Sequence, residues 1–189
     1  METALDALIG TQSGHGDTRV DHAELATQLA ALHPQSFGWA FACCGRRRED
    51  AEDVLHDVYA AVLDNGLRFD GRSTLKTWLF SVIARTARAR ARRDRWRALL
   101  GVRHAARIDG PSAEPSPDDD AIAVERRDRM QRVLTQLPRR QREVLLLVFY
   151  HCLTIEEAAR VMNVSLGSAR VHYHRGKQRL ASLLPEDRP

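Results

Sequence analysis

Between Thr154 and Leu180 the chain reads TIEEAARVMNVSLGSARVHYHRGKQRL, and the order of its polar residues narrows the fold sharply. Thr154 and Glu157 have the spacing of a capping box, in which a hydroxyl and a carboxylate each satisfy an amide at a helix start. Ile155, Ala158, Ala159 and Met162 then recur at helical intervals and give that helix one apolar face. Asn163 suits a left-handed exit, Val164 a plug into the core, and Ser165 the cap of a second helix. Apolar face, tight turn and new cap, in that order, predict a helix-turn-helix. On the second helix Ala169, Tyr173, Gly176 and Leu180 share a face that is expected to pack on the first. Arg170, Val171, His174, Arg175 and Gln178 are turned outward, with His172 and Lys177 on the flanks. The N-terminal residues of such a helix meet base edges in a major groove, while Arg175, Lys177 and Arg179 are better placed for phosphates. The plainer alternative is a basic helix end whose cations only complement the helix dipole.

The rest of the chain extends the helical reading. Apolar residues recur every three or four positions nearly everywhere, and neither strand-like alternation nor a hairpin turn signal interrupts them. From Ile108 to Glu125 the sequence holds three prolines, several acids and no basic residue, which reads as a linker. The expected organisation is all-α. It comprises an arm at 1–22, a helical domain at 23–107, a linker at 108–120, a second helical domain at 121–184 and a tail at 185–189. In the second domain, Ser116 and Pro117 suit a helix start, followed by a stripe of Met130, Val133, Leu134 and Leu137. A further helix opens at Pro138 and is apolar over most of its circumference from Val144 to Phe149, so it is expected to be central.

In the first domain Ala51, Val54, Leu55, Val58 and Val62 form an apolar stripe. Glu49, Asp50, Glu52, Asp53 and Asp57 crowd the exposed face near the start of the same helix, where acids suit the dipole. A later helix carries Leu79, Val82, Ile83 and Ala87 inward, and spacing of three, four and three aligns Arg85, Arg88, Arg92 and Arg95 along another face. Cations in a row with aromatic residues nearby, here Phe69, Trp78 and Phe80, suit single-stranded nucleic acid. Trp78 and Phe80 equally fit the core by their helical spacing.

Taken together, the two halves resemble an alternative sigma factor of bacterial RNA polymerase, of the extracytoplasmic-function (group IV) branch of the sigma-70 family. The resemblance covers about Ala23 to Leu184. EDAEDVLHDVYAAVL is similar to the segment that docks on the clamp helices of the polymerase largest subunit, which implies contacts from Asp50, Asp53, His56 and Asp57. RFDGRSTLKTWLFSVIARTARARARR resembles the segment that opens and reads the minus-ten element. It implies DNA contacts from Phe69, Asp70, Arg72, Ser73, Lys76, Arg85, Thr86, Arg88 and Arg92, with the loop Phe69 to Trp78 accepting a flipped base. LPRRQREVLLLVFYHCLTIEEAARVMNVSLGSARVHYHRGKQRL resembles the four-helix region that reads the minus-thirty-five element and meets the polymerase flap. There the implied DNA contacts are Ser165, Ser168, Arg170, Val171, His172, His174, Arg175 and Lys177. Thr86 stands where Asn is common in the family, and Val171 and His172 stand where Ser and Arg or Lys are common, so the promoter sequence does not carry over.

The resemblance implies core RNA polymerase and promoter DNA as partners, and control by an anti-sigma factor. The formal net charge of +4 and a pI near 9.3 agree with a polyanionic partner. No phosphate-binding glycine loop, nucleophile elbow or metal-ligand pair is present, so neither an enzyme nor a bound cofactor is expected. The rival reading is a free-standing helix-turn-helix repressor or activator, which binds duplex DNA alone. No apolar run approaches the roughly 20 residues that span a bilayer, and METALDALIGTQSGHGDTRVD lacks the pattern of a secretory leader. A cytoplasmic location without membrane insertion is expected. Cys43, Cys44 and Cys152 are expected to be buried free thiols, because with His33 and His56 they match no zinc-ligand spacing.

Overall fold

A computed structural model describes residues 22–64, 66–100 and 129–184, and all regular structure among them is helical. The expected linker and tail, the cap at Ser116, and the arm save its last residue lie outside the described residues. Helix α1 spans His22–Cys43, α2 Arg48–Leu63 and α3 Leu75–Leu99. Residues 129–135 form α4. Helix α5, Arg139–Leu145, runs directly into a π-helical turn at Leu146–Tyr150. The last two helices are α6, Ile155–Met162, and α7, Leu166–Leu183.

Local chemistry accounts for most of these boundaries. Gly45 and Arg46 take positive φ values of 67° and 68°, which reverses the chain between α1 and α2. Thr74 caps α3 by accepting from the Thr77 amide at 3.2 Å. The capping box of α6 is complete: the Thr154 amide donates to Glu157 Oε2 at 2.9 Å, and the Glu157 amide donates to Thr154 Oγ1 at 3.2 Å. Asn163 sits in the left-handed region at φ 54°, ψ 55°, and Ser165 Oγ accepts from the Ser168 amide at 3.1 Å. The helix-turn-helix therefore has the caps and turn that its sequence predicts.

Helices α1, α2 and α3 pack together in the N-terminal half, and α7 packs on α5 and α6 in the C-terminal half. The α2 stripe is buried as expected, and so are Leu79, Val82, Ile83 and Ala87 of α3. Met130 departs from its expected stripe at 39% exposure. Phe149 also departs, at 58% exposure, and Tyr150 beside it is 71% exposed. They fall in the π turn, whose wider winding shifts the phase of the side chains that follow α5. The two halves also meet directly. Helix α3 packs against α6, and the buried residues of both halves, Trp39, Leu79 and Phe80 with Leu147, Val161 and Met162, belong to one continuous cluster.

Candidate DNA-facing and polymerase-facing surfaces

Helix α7 owes its position to a close approach on one face. Ala169 and Gly176 are buried against the rest of the half. A Cβ built at Gly176 would lie 3.1 Å from Leu145 Cδ1 and 3.3 Å from the Gln141 carbonyl oxygen, so α5 and α7 approach closely enough that even a methyl group there makes its neighbours give by a few tenths of an ångström. The opposite face presents Arg170, Val171, His174, Arg175, Lys177 and Gln178 to solvent, with Ser165 and Ser168 exposed at the cap and His172 half-buried. Tyr173 stacks on Phe149 at 5.9 Å between ring centroids, and the Lys177 ammonium lies 5.7 Å from the Tyr173 ring. A basic ridge thus stands on a packed aromatic base.

The loop before α3 is built around Gly71 at φ 71°. Asp70 Oδ1 accepts from the Arg72 amide at 3.2 Å, and Phe69 leans on Trp78 at 5.6 Å. Ser73 and Thr86 are half-buried. Along α3, Arg85, Arg92 and Arg95 are exposed. Arg88 of the same row is turned toward the other half, where Nη2 lies 3.9 Å from Glu143 Oε2. Lys76 is engaged in the same direction and donates to the His151 carbonyl at 2.6 Å. Phe80 is fully buried, stacked on Trp39 at 6.0 Å, so of the three aromatic candidates it belongs to the core.

The acids of α2 are arranged by a residue outside the arginine row. Arg90 pairs with Asp53 and lies 3.7 Å from Asp57, while Arg47 pairs with Asp50. Asp53, His56 and Asp57 are exposed and Asp50 half-buried. Beside them His33, Phe37, Leu55, His56 and Tyr59 line an open, mostly apolar groove of about 500 Å³. Arg48 and Glu52, paired with each other at 2.8 Å, also line this groove, so it offers a protein partner an apolar floor with a mixed-charge edge.

Comparison with known proteins explains why these surfaces occur in one chain. Residues 29–97 match sigma-70 region 2, and residues 127–180 match sigma-70 region 4. The ECF RNA polymerase sigma factor SigX of Bacillus subtilis is 30% identical over 131 residues, 68% of each chain. The chain belongs to the ECF sigma factors. ECF sigma factor ShbA of Streptomyces griseus is 28% identical over 195 residues, 96% of each chain. The fold is also that of the sigma factor RpoE from Bartonella quintana, solved in complex with the anti-sigma factor NepR. That likeness has a TM-score of 0.64 at 24% identity and covers 87% of this chain and 99% of that one. This sigma factor therefore binds core RNA polymerase and directs initiation at specific promoters. The region 2 match decides against a free-standing regulator.

The sigma factor holds a buried histidine that its sequence does not single out. The His151 ring, 3% exposed, stands edge-on to Phe80 at 4.8 Å, to Trp39 at 5.9 Å and to Tyr150 at 4.9 Å. Burial first, and the nearby Lys76 ammonium second, push its pKa down to about 4 from 6.5. The neutral ring is the form that fits the packed state. Its contribution is complete above pH 6.5 and is lost as the pH falls from there through about 4, on the order of 3 kcal/mol in all. A urea midpoint measured at pH 7 and again at pH 4.5 is expected to fall, and His151→Phe is expected to remove most of that pH dependence.

Burial drives the Cys43 thiol well above its ordinary value and pushes Cys44 up to about 11, with Asp50 adding to the effect on Cys44. Both thiols stay protonated and unreactive at neutral pH. The expectation of three buried thiols is corrected: Cys43 and Cys44 are half-buried, and Cys152 is exposed, at φ 55°, where the chain leaves the π turn. Among the described residues no group of three His, Cys, Asp or Glu side chains is placed to hold a metal ion, and no helix is long and apolar enough to cross a membrane.

Proposed function

We propose that the sigma factor divides promoter recognition between its halves. Residues 23–107 dock on polymerase and open the minus-ten element, and residues 121–184 read the minus-thirty-five element, with 108–120 as the connection. The observation that carries this division is the outward basic face of α7 on a capped helix-turn-helix, paired with exposed Arg85 and Arg92 on α3. In the upstream half Arg170 and Val171 with Ser168 address base edges, Ser165 and His172 flank them, and His174, Arg175 and Lys177 address phosphates. In the downstream half Arg85, Arg88 and Arg92 hold the backbone of the opened strand, with Thr86 beside them. Phe69, Asp70, Arg72, Ser73 and Lys76 surround an unstacked base.

Docking is assigned to Asp50, Asp53, His56 and Asp57 on α2, against the clamp helices of the largest subunit, while the C-terminal half meets the flap. Strand opening is supplied by the sigma factor, and nucleotide addition belongs to the polymerase, so no catalytic residue is assigned. The work is done in the cytoplasm. An anti-sigma factor is proposed as a further partner, in line with the Bartonella quintana complex.

Two variants separate the surfaces. Arg85→Ala with Arg92→Ala is expected to reduce open-complex formation at least tenfold, read by permanganate footprinting, and to leave affinity for core polymerase unchanged. Asp53→Arg is expected to weaken polymerase affinity about tenfold and to leave DNA contacts in the assembled complex intact. Loss of both properties in both variants would overturn the division.

A further inference from the structure

We propose that the C-terminal end of α3 is a stacking platform for single-stranded DNA, with Trp96 as the residue on which an unstacked base lies and Leu99 beside it. The proposal rests on the assignment of Arg85 and Arg92 to the backbone of the opened strand. Intervals of seven, four and three put Arg85, Arg92, Trp96 and Leu99 on one face of the helix, so the apolar pair continues the line of the cations. Trp96 lies about 6 Å beyond Arg92 along the axis, close enough for one nucleotide to touch both.

The fold makes no use of this surface. Trp96 is 67% exposed, Leu99 80% and Leu100 74%, three large apolar side chains within five residues. Among the described residues no hydrogen bond, ion pair or ring contact engages the indole. The other aromatic candidates are placed differently: Phe80 is fully buried, and Phe69 and Trp78 lean on each other. Clustered apolar groups left open to water mark a surface that a partner covers. Charge selects the partner. Arg92, Arg93, Arg95 and Arg97 are exposed around the patch, and the one carboxylate among them, Asp94, lies 3.9 Å from Arg97 Nη1. Four cations against one acid repel a basic protein surface and attract a polyanion. An indole between guanidinium groups suits single-stranded DNA, since phosphates take the cations and an unstacked base takes the ring. A duplex offers phosphates but keeps its bases stacked, so the indole distinguishes the open strand from the closed one.

The full chain is titrated with a fluorescein-labelled oligothymidylate 20-mer and with a duplex of the same length, at several salt concentrations. Trp96→Ala is expected to weaken binding to the single strand about tenfold, the scale of one lost stacking contact, and to leave duplex binding unchanged. Trp96→Phe keeps a ring and is expected to restore most of the loss. In both variants the slope of log K against log salt should be that of the wild type, because no cation is removed. Arg85→Ala with Arg92→Ala is the control for the underlying assignment: it should weaken binding to both DNAs and flatten the single-strand slope by about 1.4. If the arginine pair has no effect, the assignment of α3 to DNA fails, and the platform with it. If the arginine pair weakens binding while Trp96→Ala binds like the wild type, or loses the duplex as much as the single strand, the platform alone is overturned. A wild-type dimer, or binding to phosphatidylglycerol vesicles, that Trp96→Ala abolishes with oligonucleotide affinity unchanged would give the patch another occupant and overturn the platform as well.

Discussion

Gly176→Leu is expected to abolish upstream-element recognition by forcing α7 off α5. The Cβ alone would meet Gln141 Cβ and the Gln141 carbonyl oxygen at 3.3 Å and Leu145 Cδ1 at 3.1 Å. Leu145 can turn its tip aside, but a helix carbonyl cannot move without the helix. Three further carbons have no space, and overpacking of this kind costs about 3 kcal/mol. Gly176→Ala is the informative partner: alanine favours the helix by about 1 kcal/mol and so offsets most of a contact that must give by a few tenths of an ångström. Urea denaturation should show a large loss for leucine and a small change for alanine. Binding of polymerase holoenzyme to duplex carrying the upstream element should follow the same order.

Phe80→Ala is the second large effect. Phe80 is fully exposed to protein and not to solvent, stacked on Trp39 and edge-on to His151, so truncation leaves a cavity where α1, α3 and the π turn meet. Loss of a buried phenyl ring costs about 3 to 5 kcal/mol, a large share of the 5 to 15 kcal/mol that typically separates folded from unfolded chains. Because the buried residues of both halves form one cluster, the loss should be felt in both. Trp39 and Trp78 report the N-terminal half by fluorescence, and Tyr173 on α7 can be followed separately by hydrogen exchange of its amide. Both reporters are expected to shift to lower urea together. A shift confined to the tryptophans would show that the halves unfold independently.

What could be read from the sequence was what is settled within a few residues. The capping box, the left-handed Asn163, the cap at Ser165 and the buried face of Ala169 and Gly176 all depend on neighbours close in the chain, and their spacing is the signal. The arginine row on α3 followed in the same way from helical periodicity. The contacts that join the two halves left no such trace. His151 stands alone after an apolar run, and nothing in its neighbours indicates that Phe80, 71 positions earlier, will lie edge-on to it. Arg90 falls outside the row that periodicity picks out, and only the packing of α3 on α2 brings it to Asp53 and Asp57. Phe149 was misplaced because a π turn breaks the 3.6-residue phase on which its expected burial depended. Cys152 was misplaced with it, since it follows the same turn. The exposed face of α7 was legible as a surface, whereas the turning of Lys76 and Arg88 toward the other half was not.

Promoter-directed initiation is tested most directly by run-off transcription with bacterial core polymerase on fragmented genomic DNA of the source organism, with and without the sigma factor. The expected result is a set of discrete start sites that appear only when it is added, each preceded by two unlike sequence elements at constant spacing. A polymerase that ignores the protein, together with protection of a palindromic duplex site by the protein alone, would contradict it.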